Sequence, residues 1–374
     1  MGLRDVDVVV VGGGVVGLAV AAALARAGRS LLLLERREDF ARETTARSSE
    51  VVHAGLYYPI GSLKAQLCVA GREALYERCE RLGIPHRRLG KLVVASDPAE
   101  RALLEELARR GTRNGAPGLE LLDAAAVRRL EPALRAEAAL LSPATGIVDA
   151  RALALSYAAE AEACGAILLL RREVLAIEAR AGGFRVESAG PEGETDAVAC
   201  GALVNAAGLA GDAVARRAGF DVDARGYRLH LCKGDYFALA PGAPLRLSRL
   251  VYPVPAGPGL GIHATLDLAG RIRFGPDAEY VERARYDVDP GKAETFARAA
   301  GRYLPGLEAR WLSPDYAGLR PKLAGPGEPF RDFVVAEESR AGFPGFVNLL
   351  GIESPGLTAA PAIADRVAAL LRSL

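Results

Sequence analysis

The chain is poor in several of the residues that mark specialised proteins: one methionine, one tryptophan, four histidines and five cysteines among 374 residues, with a formal net charge of only +1. Near-neutrality argues against nucleic acid as a partner, because a phosphate backbone is held by a concentrated basic face, and the basic residues here are scattered. Cys68, Cys79, Cys164, Cys200 and Cys232 are far apart and form no Cys-x-x-Cys pair. They read mostly as small buried hydrophobes in a reduced, cytoplasmic setting. His53, His86, His230 and His263 show no i, i+4 pairing, so no metal centre is expected. No run of about 18 apolar residues exists, so no integral membrane segment is expected. Peripheral contact with the inner face of a membrane stays open, although no basic amphipathic helix marks it. Met1–Asp5 leads directly into a strand and leaves no room for a signal peptide.

What the chain does have is a long apolar inventory, 50% of its residues, enough for a large core and expected as two domains. The stretch Asp7–Arg37 dominates. Val8 to Val11 is an unbroken β-branched run, the pattern of a strand buried on both faces. Gly12-x-Gly14-x-x-Gly17 follows at once. Gly12 makes the tight turn, Gly14 lets backbone approach a pyrophosphate, and Gly17 lets helix pack on strand. An Ala-rich helix over Val15–Ala27 would face the phosphates with its N-terminal amides. A second apolar run, Ser30–Leu34, ends in Glu35, where a carboxylate can take ribose hydroxyls. Together these predict a nucleotide-binding βαβ unit.

Residues 44–59 fit neither period and read as a long functional loop. Ser62–Leu82 reads as an amphipathic helix with Leu63, Leu67, Leu75 and Leu82 on or near one stripe. Residues 83–144 look like an insertion, with strand material at 84–86 and 91–95, a charged helix from Asp97-Pro98 to about Gly111, and a short helix over Asp123–Leu130. The nucleotide domain resumes with a helix over 150–164, a buried strand at 166–170, a hairpin at 174–177 and 183–187, and a strand into a glycine turn at 202–208. Residues 226–330 carry short strands between turn residues, at 227–232, 235–240, 250–254, 261–265 and 272–275, which implies a mostly antiparallel sheet. A helix is expected over 289–302. Tyr316–Lys322 is expected to leave that sheet, and 333–337 to pair with 346–350. The C-terminus reads as strand, glycine turn, and helix from about Thr358, with Pro361 in its first turn.

These pieces resemble the glycine oxidase/D-amino-acid oxidase superfamily of FAD enzymes, and within it the L-2-hydroxyglutarate dehydrogenase (oxidase) family. The resemblance spans most of the chain. It rests on the N-terminal glycines with Glu35, the segment 51–59 (Val-Val-His-Ala-Gly-Leu-Tyr-Tyr-Pro) with Ser62–Ala65, and Val204–Gly208. It continues through Lys233–Phe237, Val251–Pro255, 259–263 and Gly318–Lys322. Two places depart from the pattern: Ser48, where many relatives carry Asn, and the turn over 351–358. The resemblance implies an α/β fold. A Rossmann-like FAD-binding domain (1–82, 145–225 and 331–374) would carry an inserted substrate domain of mostly antiparallel sheet plus helices (83–144 and 226–330).

It further implies non-covalent FAD. Contacts are expected from Gly12, Gly14, Val15, Val16 and Gly17, and from Glu35 and Arg36. The loop would add Thr45, Arg47, Ser48 and Ser49; the sheet, Val174, Ala206 and Gly208; the substrate strand, Arg320. At the C-terminus Glu353, Ser354, Pro355, Gly356, Leu357 and Thr358 would present a helix N-terminus to the flavin, its dipole favouring the reduced anion. Oxidising a 2-hydroxy acid needs a base for the hydroxyl proton, and histidine has a suitable pKa. His53 ranks first and His263 second as base or partner. Arg320 matches the position that clamps the substrate carboxylate, a role suited to a guanidinium fork. Lys322 could meet a second carboxylate, and Tyr57 and Tyr252 could add hydroxyls or pack the pocket. The expected partners are a small carboxylate substrate and an electron acceptor, whether dioxygen, a quinone or another carrier. Oxidation of an amino acid or secondary amine is the alternative activity, and a flavin- or NAD-binding regulatory module without turnover the alternative of another class.

Overall fold

The structure, a computed structural model, describes residues 4–255 and 261–372. Met1–Leu3, and Gly259 and Leu260 of the 259–263 segment, lie outside the described residues. Strand Val6–Val11 is central to the first sheet, parallel to Leu31–Leu34 on one side and to Thr195–Asn205 on the other. Its alternate side chains feed two cores, as a strand covered on both faces requires. Val8 and Val10 pack with the helices Val15–Arg26, Ala150–Ala163 and Gly356–Leu371. Val9 and Val11 pack with Phe184, Phe220 and Phe346. Phe343–Leu350 extends the parallel series beside Thr195–Asn205, and Val334–Glu338 pairs antiparallel with it. The hairpin Glu173–Arg180 and Gly183–Ala189 continues into Thr195–Asn205.

Ile167–Leu169, expected as a buried strand, is instead the sheet's edge, with Ile167 55% exposed. An apolar run looks the same at an edge and at a centre until its neighbours are known. Helix Leu63–Leu82 also departs from a simple stripe: Leu82 is exposed while Lys64, Arg72 and Arg78 are buried. The cations are buried because each has a partner. Arg78, for instance, donates to Glu160 and Ser156 and lies over the Tyr157 ring. The charged helix runs Pro98–Asn114, past the expected stop at Gly111, and ends on Gly115 in the left-handed conformation.

The second sheet joins distant segments. Leu250–Pro253 runs parallel to Lys91–Ala95, which pairs with Ala138–Ser142 and, through it, Glu120–Asp123. The other pairings in this sheet are antiparallel. The strands expected at 227–232 and 235–240 are one, His230–Leu239. Tyr316–Lys322 does not leave the sheet. It belongs to the strand Leu312–Lys322, paired along His230–Leu239 with Arg320 opposite Cys232. Pro314 and Pro321 do not interrupt it, because it is an edge strand and an edge tolerates proline. The last helix starts at Gly356, two residues earlier than expected, so Pro361 falls inside it rather than in its first turn.

Helices Leu63–Leu82 and Gly356–Leu371 cross where Gly71 meets the Thr358 carbonyl; a Cβ at Gly71 would lie 2.3 Å from that oxygen. Gly71→Ala is therefore expected to force the helices apart and lower stability by about 1–3 kcal/mol, read as a lower urea midpoint.

Candidate functional site

The glycine turn divides its work between protein and ligand. Gly12 has φ +111°, and a Cβ there would lie 2.4 Å from the Ala206 carbonyl oxygen. A Cβ on Gly17 would lie 2.0 Å from the Gly12 oxygen. Both glycines are required by the protein's own packing. Gly14 is different: a Cβ there meets only Thr45 Oγ1, at 3.4 Å, and otherwise projects into open space. The N-cap residue of the following helix, Gly14, offers no capping side chain, and no acidic residue sits in its first turn. Thr45 Oγ1, from the loop, accepts from the Val15 amide at 3.1 Å, while Gly14 itself brings no capping side chain, so the rest of the helix end stays open to an anion. Glu35 accepts from the Gly13 amide at 2.6 Å and the Arg37 amide at 2.8 Å. Its position is fixed while its remaining lone pairs stay available to hydroxyls.

One cavity runs from this turn to the second sheet. Along its near part lie Gly12, Gly14, Val15, Val16, Gly17, Glu35 and Arg36, with Val174, Ala206 and Gly208. The loop residues Thr45, Arg47, Ser48 and Ser49 form one wall. That loop is docked on Leu312–Lys322: Tyr316 donates to the Ser48 carbonyl at 2.8 Å, and Gly318 lets the Arg47 carbonyl pass where a Cβ would sit 2.4 Å away. At the far end Glu353, Ser354, Pro355, Gly356 and Leu357 line the same cavity, so a second uncapped helix N-terminus faces it. Thr358 stands off the lining. Its hydroxyl accepts from the His53 amide at 3.0 Å and donates to the Val51 carbonyl at 3.4 Å, which ties the histidine loop to the helix.

His53, His263, Tyr252 and Arg320 all line this end. His53 Nε2 lies 3.2 Å from Ser354 Oγ, and its buried Nδ1 has no partner among the described residues. Burial first, and then the Lys91 ammonium, push its pKa down to about 3. The ring is therefore neutral and able to take a proton, and a bound anion beside it would raise its basicity. His263 stacks on Tyr252 with ring centroids 3.5 Å apart. Arg320 is clamped by carbonyls: Nε donates to Cys232 at 3.4 Å, and Nη2 to Lys233 at 3.1 Å and Asp277 at 2.6 Å. Nη1 lies outside the clamp. The Asp277 turn is itself held by Lys292, which bridges Asp235, Asp277 and Glu279.

Two expected substrate contacts are not at the cavity. Lys322 Nζ is 3.3 Å from Glu353 Oε1, which also takes Lys64 at 2.9 Å, and Lys322 is absent from the lining. Burial opposes ionisation of Glu353, but the two lysines outweigh it and hold its pKa below the usual range. Lys322 is thus spent on a buried carboxylate. Tyr57 also lies behind the lining, its hydroxyl buried without a partner among the described residues. Sequence reasoning missed Tyr236, which lines the cavity and stacks on Tyr316 at 4.5 Å, and Lys91, fully buried between Tyr57 and Tyr252. The segment Lys233–Phe237 pointed at the first; nothing in a lysine preceding Leu-Val-Val-Ala signalled the second. Among the described residues no cluster of His, Cys, Asp or Glu could hold a metal, and no helix is long and apolar enough to cross a membrane.

Comparison with known proteins agrees with this geometry. The family model described as DAO, FAD dependent oxidoreductase, matches residues 7–370. The mitochondrial L-2-hydroxyglutarate dehydrogenase of Arabidopsis thaliana is 40% identical over 404 residues, covering 97% of this chain and 83% of that protein. Its Homo sapiens counterpart is 37% identical over 283 residues, covering 73% of this chain but only 60% of that protein. Among solved structures, dithionite-reduced L-alpha-glycerophosphate oxidase from Mycoplasma pneumoniae with FAD bound has a TM-score of 0.87 at 26% identity, covering 98% of this chain and 94% of that one. Glycine oxidase from Bacillus cereus, at 21% identity, shares the fold with a TM-score of 0.79 over 99% of this chain and 98% of that one.

The roles of the glycines separate experimentally. Gly17→Ala is expected to destabilise the cofactor-free protein by about 2 kcal/mol or more. Gly14→Ala should leave its stability within about 1 kcal/mol yet weaken FAD uptake about tenfold or more, measured by flavin fluorescence titration. A second test concerns Lys91, whose burial lowers its pKa from 10.5 to about 7. Between those values the folded protein holds fewer protons than the unfolded chain. Stability therefore rises with pH there, by up to about 1.4 kcal/mol per unit. Lys91→Met should be the more stable protein below pH 7, and urea unfolding at pH 6.5 and 9.5 should show its advantage shrinking.

Proposed function

The chain belongs to the DAO family of FAD-dependent oxidoreductases, and from that premise we propose that it oxidises a small 2-hydroxy acid of the L-2-hydroxyglutarate kind to the 2-oxo acid. The observation that carries this reading is the meeting of His53 and Arg320 in one cavity, in a chain 40% identical to a plant L-2-hydroxyglutarate dehydrogenase. The open space at Gly14 and the two uncapped helix ends on the same cavity suit a dinucleotide. When bound, FAD supplies the two-electron acceptor at its N5. Non-covalent attachment leaves His53 unmodified.

Arg320 would hold the 1-carboxylate through Nη1, its carbonyl clamp fixing the guanidinium plane beforehand. His53, neutral in its buried position, would take the 2-hydroxyl proton. The Tyr252–His263 stack would close the opposite wall and keep water out. The segments 1–82, 145–225 and 331–374 serve as the FAD domain in this reading, and 83–144 with 226–330 as the substrate domain. Pairing of Lys91–Ala95 with Leu250–Pro253 supports grouping the latter two. Five cysteines that are all free suit a thiol-reducing compartment; the cytoplasm is the reading from the sequence, while the similar plant and human proteins are named mitochondrial.

Anaerobic titration of the yellow holoenzyme with a panel of 2-hydroxy acids, amino acids and glycerol 3-phosphate tests the reading. L-2-hydroxyglutarate should bleach the flavin most readily; bleaching by an amine alone would replace this reading with the amine-oxidase one. His53→Ala should lower kcat by about 10²–10⁴, and Arg320→Ala should lower kcat/KM by about 10–150-fold.

A further inference from the structure

The Lys91 amine has no carboxylate or other hydrogen-bond partner among the described residues. Its side chain is wholly buried, and Nζ has no hydrogen-bond partner among the described residues. It lies 4.6 Å from the ring centroids of both Tyr57 and Tyr252. Aromatic faces offset part of the lost hydration. Other buried lysines are treated differently: Lys64 is paired with Glu353 and Lys233 with Asp235. The ionisable groups around Lys91 are Cys68, His53, Tyr57 and Tyr252, none of them a carboxylate. The Tyr57 hydroxyl and His53 Nδ1 are likewise buried and unpartnered. Tyr252 also stacks on His263, and both rings line the cavity. The ammonium therefore stands one aromatic ring behind the substrate wall.

We propose that Lys91 is the counter-charge that selects a dicarboxylic substrate, attracting the second carboxylate to the Tyr252–His263 wall while Arg320 holds the first. This rests on the 2-hydroxy-acid reading above. Lys322 does not fill the role, because Glu353 neutralises it. Arg320 accounts for one negative charge, and the field of a buried ammonium reaches farther than it would in water. Burial keeps the amine's pKa near 7 in the empty site, so arrival of a dianion draws a proton onto it from solvent. A monoanion held by Arg320 alone does not. With Lys91 protonated, His53 is held neutral beside it, and the same charge that selects the substrate keeps the base deprotonated.

The test uses the holoenzyme and two unreactive acids, glutarate and butyrate, in calorimetric titrations at pH 8 in buffers of different ionisation enthalpy. Glutarate should bind with uptake approaching one proton per site and butyrate with little. In Lys91→Met the difference should vanish, glutarate affinity should fall about tenfold or more, and butyrate affinity should stay within about twofold. FAD content and thermal transition verify the variant's fold, with Lys91→Gln as substitute should methionine fail to fold. Equal proton uptake with both acids, equal weakening of both, or no binding of glutarate overturns the proposal. Failure of the hydroxy-acid reading looks different: no 2-hydroxy acid bleaches the flavin, while glutarate-linked proton uptake persists.

Discussion

Two helices, beginning at Val15 and Gly356, bring uncapped N-termini to one cavity, and the rest of the architecture serves that convergence. A helix end with no capping side chain is unfavourable in isolation, worth about 1 kcal/mol relative to a good cap. Here the omission is repeated at two places on one cavity. Four other helices are capped in the usual way, Ser62, Asp97, Asp123 and Asp149 each accepting from a first-turn amide, while Gly211–Arg217 and Ala293–Gly301, which continue from short 3-10 turns, have no capping side chain either. What sets the helices at Val15 and Gly356 apart is that both open on the same cavity, the arrangement on which the proposed cofactor site rests. Their placement is then set by backbone-to-backbone contacts that only glycine permits, Gly17 on Gly12 for the first and Gly71 on Thr358 for the second.

Around that frame, the distribution of buried charge separates groups that hold the site from groups that act in it. Glu353 absorbs two lysines, and Lys292 gathers three carboxylates, one of them the fully buried Asp235. Breaking such a pair leaves an uncompensated charge, a cost of several kcal/mol, so these networks fix geometry. Arg320 is treated otherwise: its partners are carbonyl oxygens, not carboxylates. A carbonyl clamp orients a guanidinium without neutralising it, and the positive charge remains available to an anion.

The opening βαβ unit was legible because its signals are local: a β-branched run, glycine spacing, a small-residue helix, an acid after the second strand. The helix starts at Asp97 and Asp123 were equally plain. What local pattern could not supply was pairing between distant segments. Lys91–Ala95 lies beside Leu250–Pro253, about 160 residues later, and that register depends on how both faces of the sheet are filled. The same limit hid the edge position of Ile167 and the continuity of Leu312–Lys322. At the site, Arg320, His53 and the glycines stood out by residue type and motif. Lys322 misled because two residues of strand put it on the same side as Arg320, while its partner, Glu353, comes from another part of the chain. Lys91 was invisible because a buried cation is defined by what surrounds it.

The histidine loop shows how a coil segment is made as exact as a strand. His53 follows directly on the short strand Val51–Val52. Its amide is held by Thr358, its carbonyl accepts from Cys68 Sγ at 3.4 Å, and its Nε2 meets Ser354. The next carbonyl, Ala54, accepts from the buried Arg72 at 3.1 Å. Both crossing helices therefore grip the loop, and the buried arginine that spoiled the simple amphipathic pattern of Leu63–Leu82 is one of the grips. A side chain in the role proposed for His53 must be placed to within a fraction of an ångström to act. Its carrier can remain irregular only because two helices, locked to each other at Gly71, supply the rigidity that it lacks.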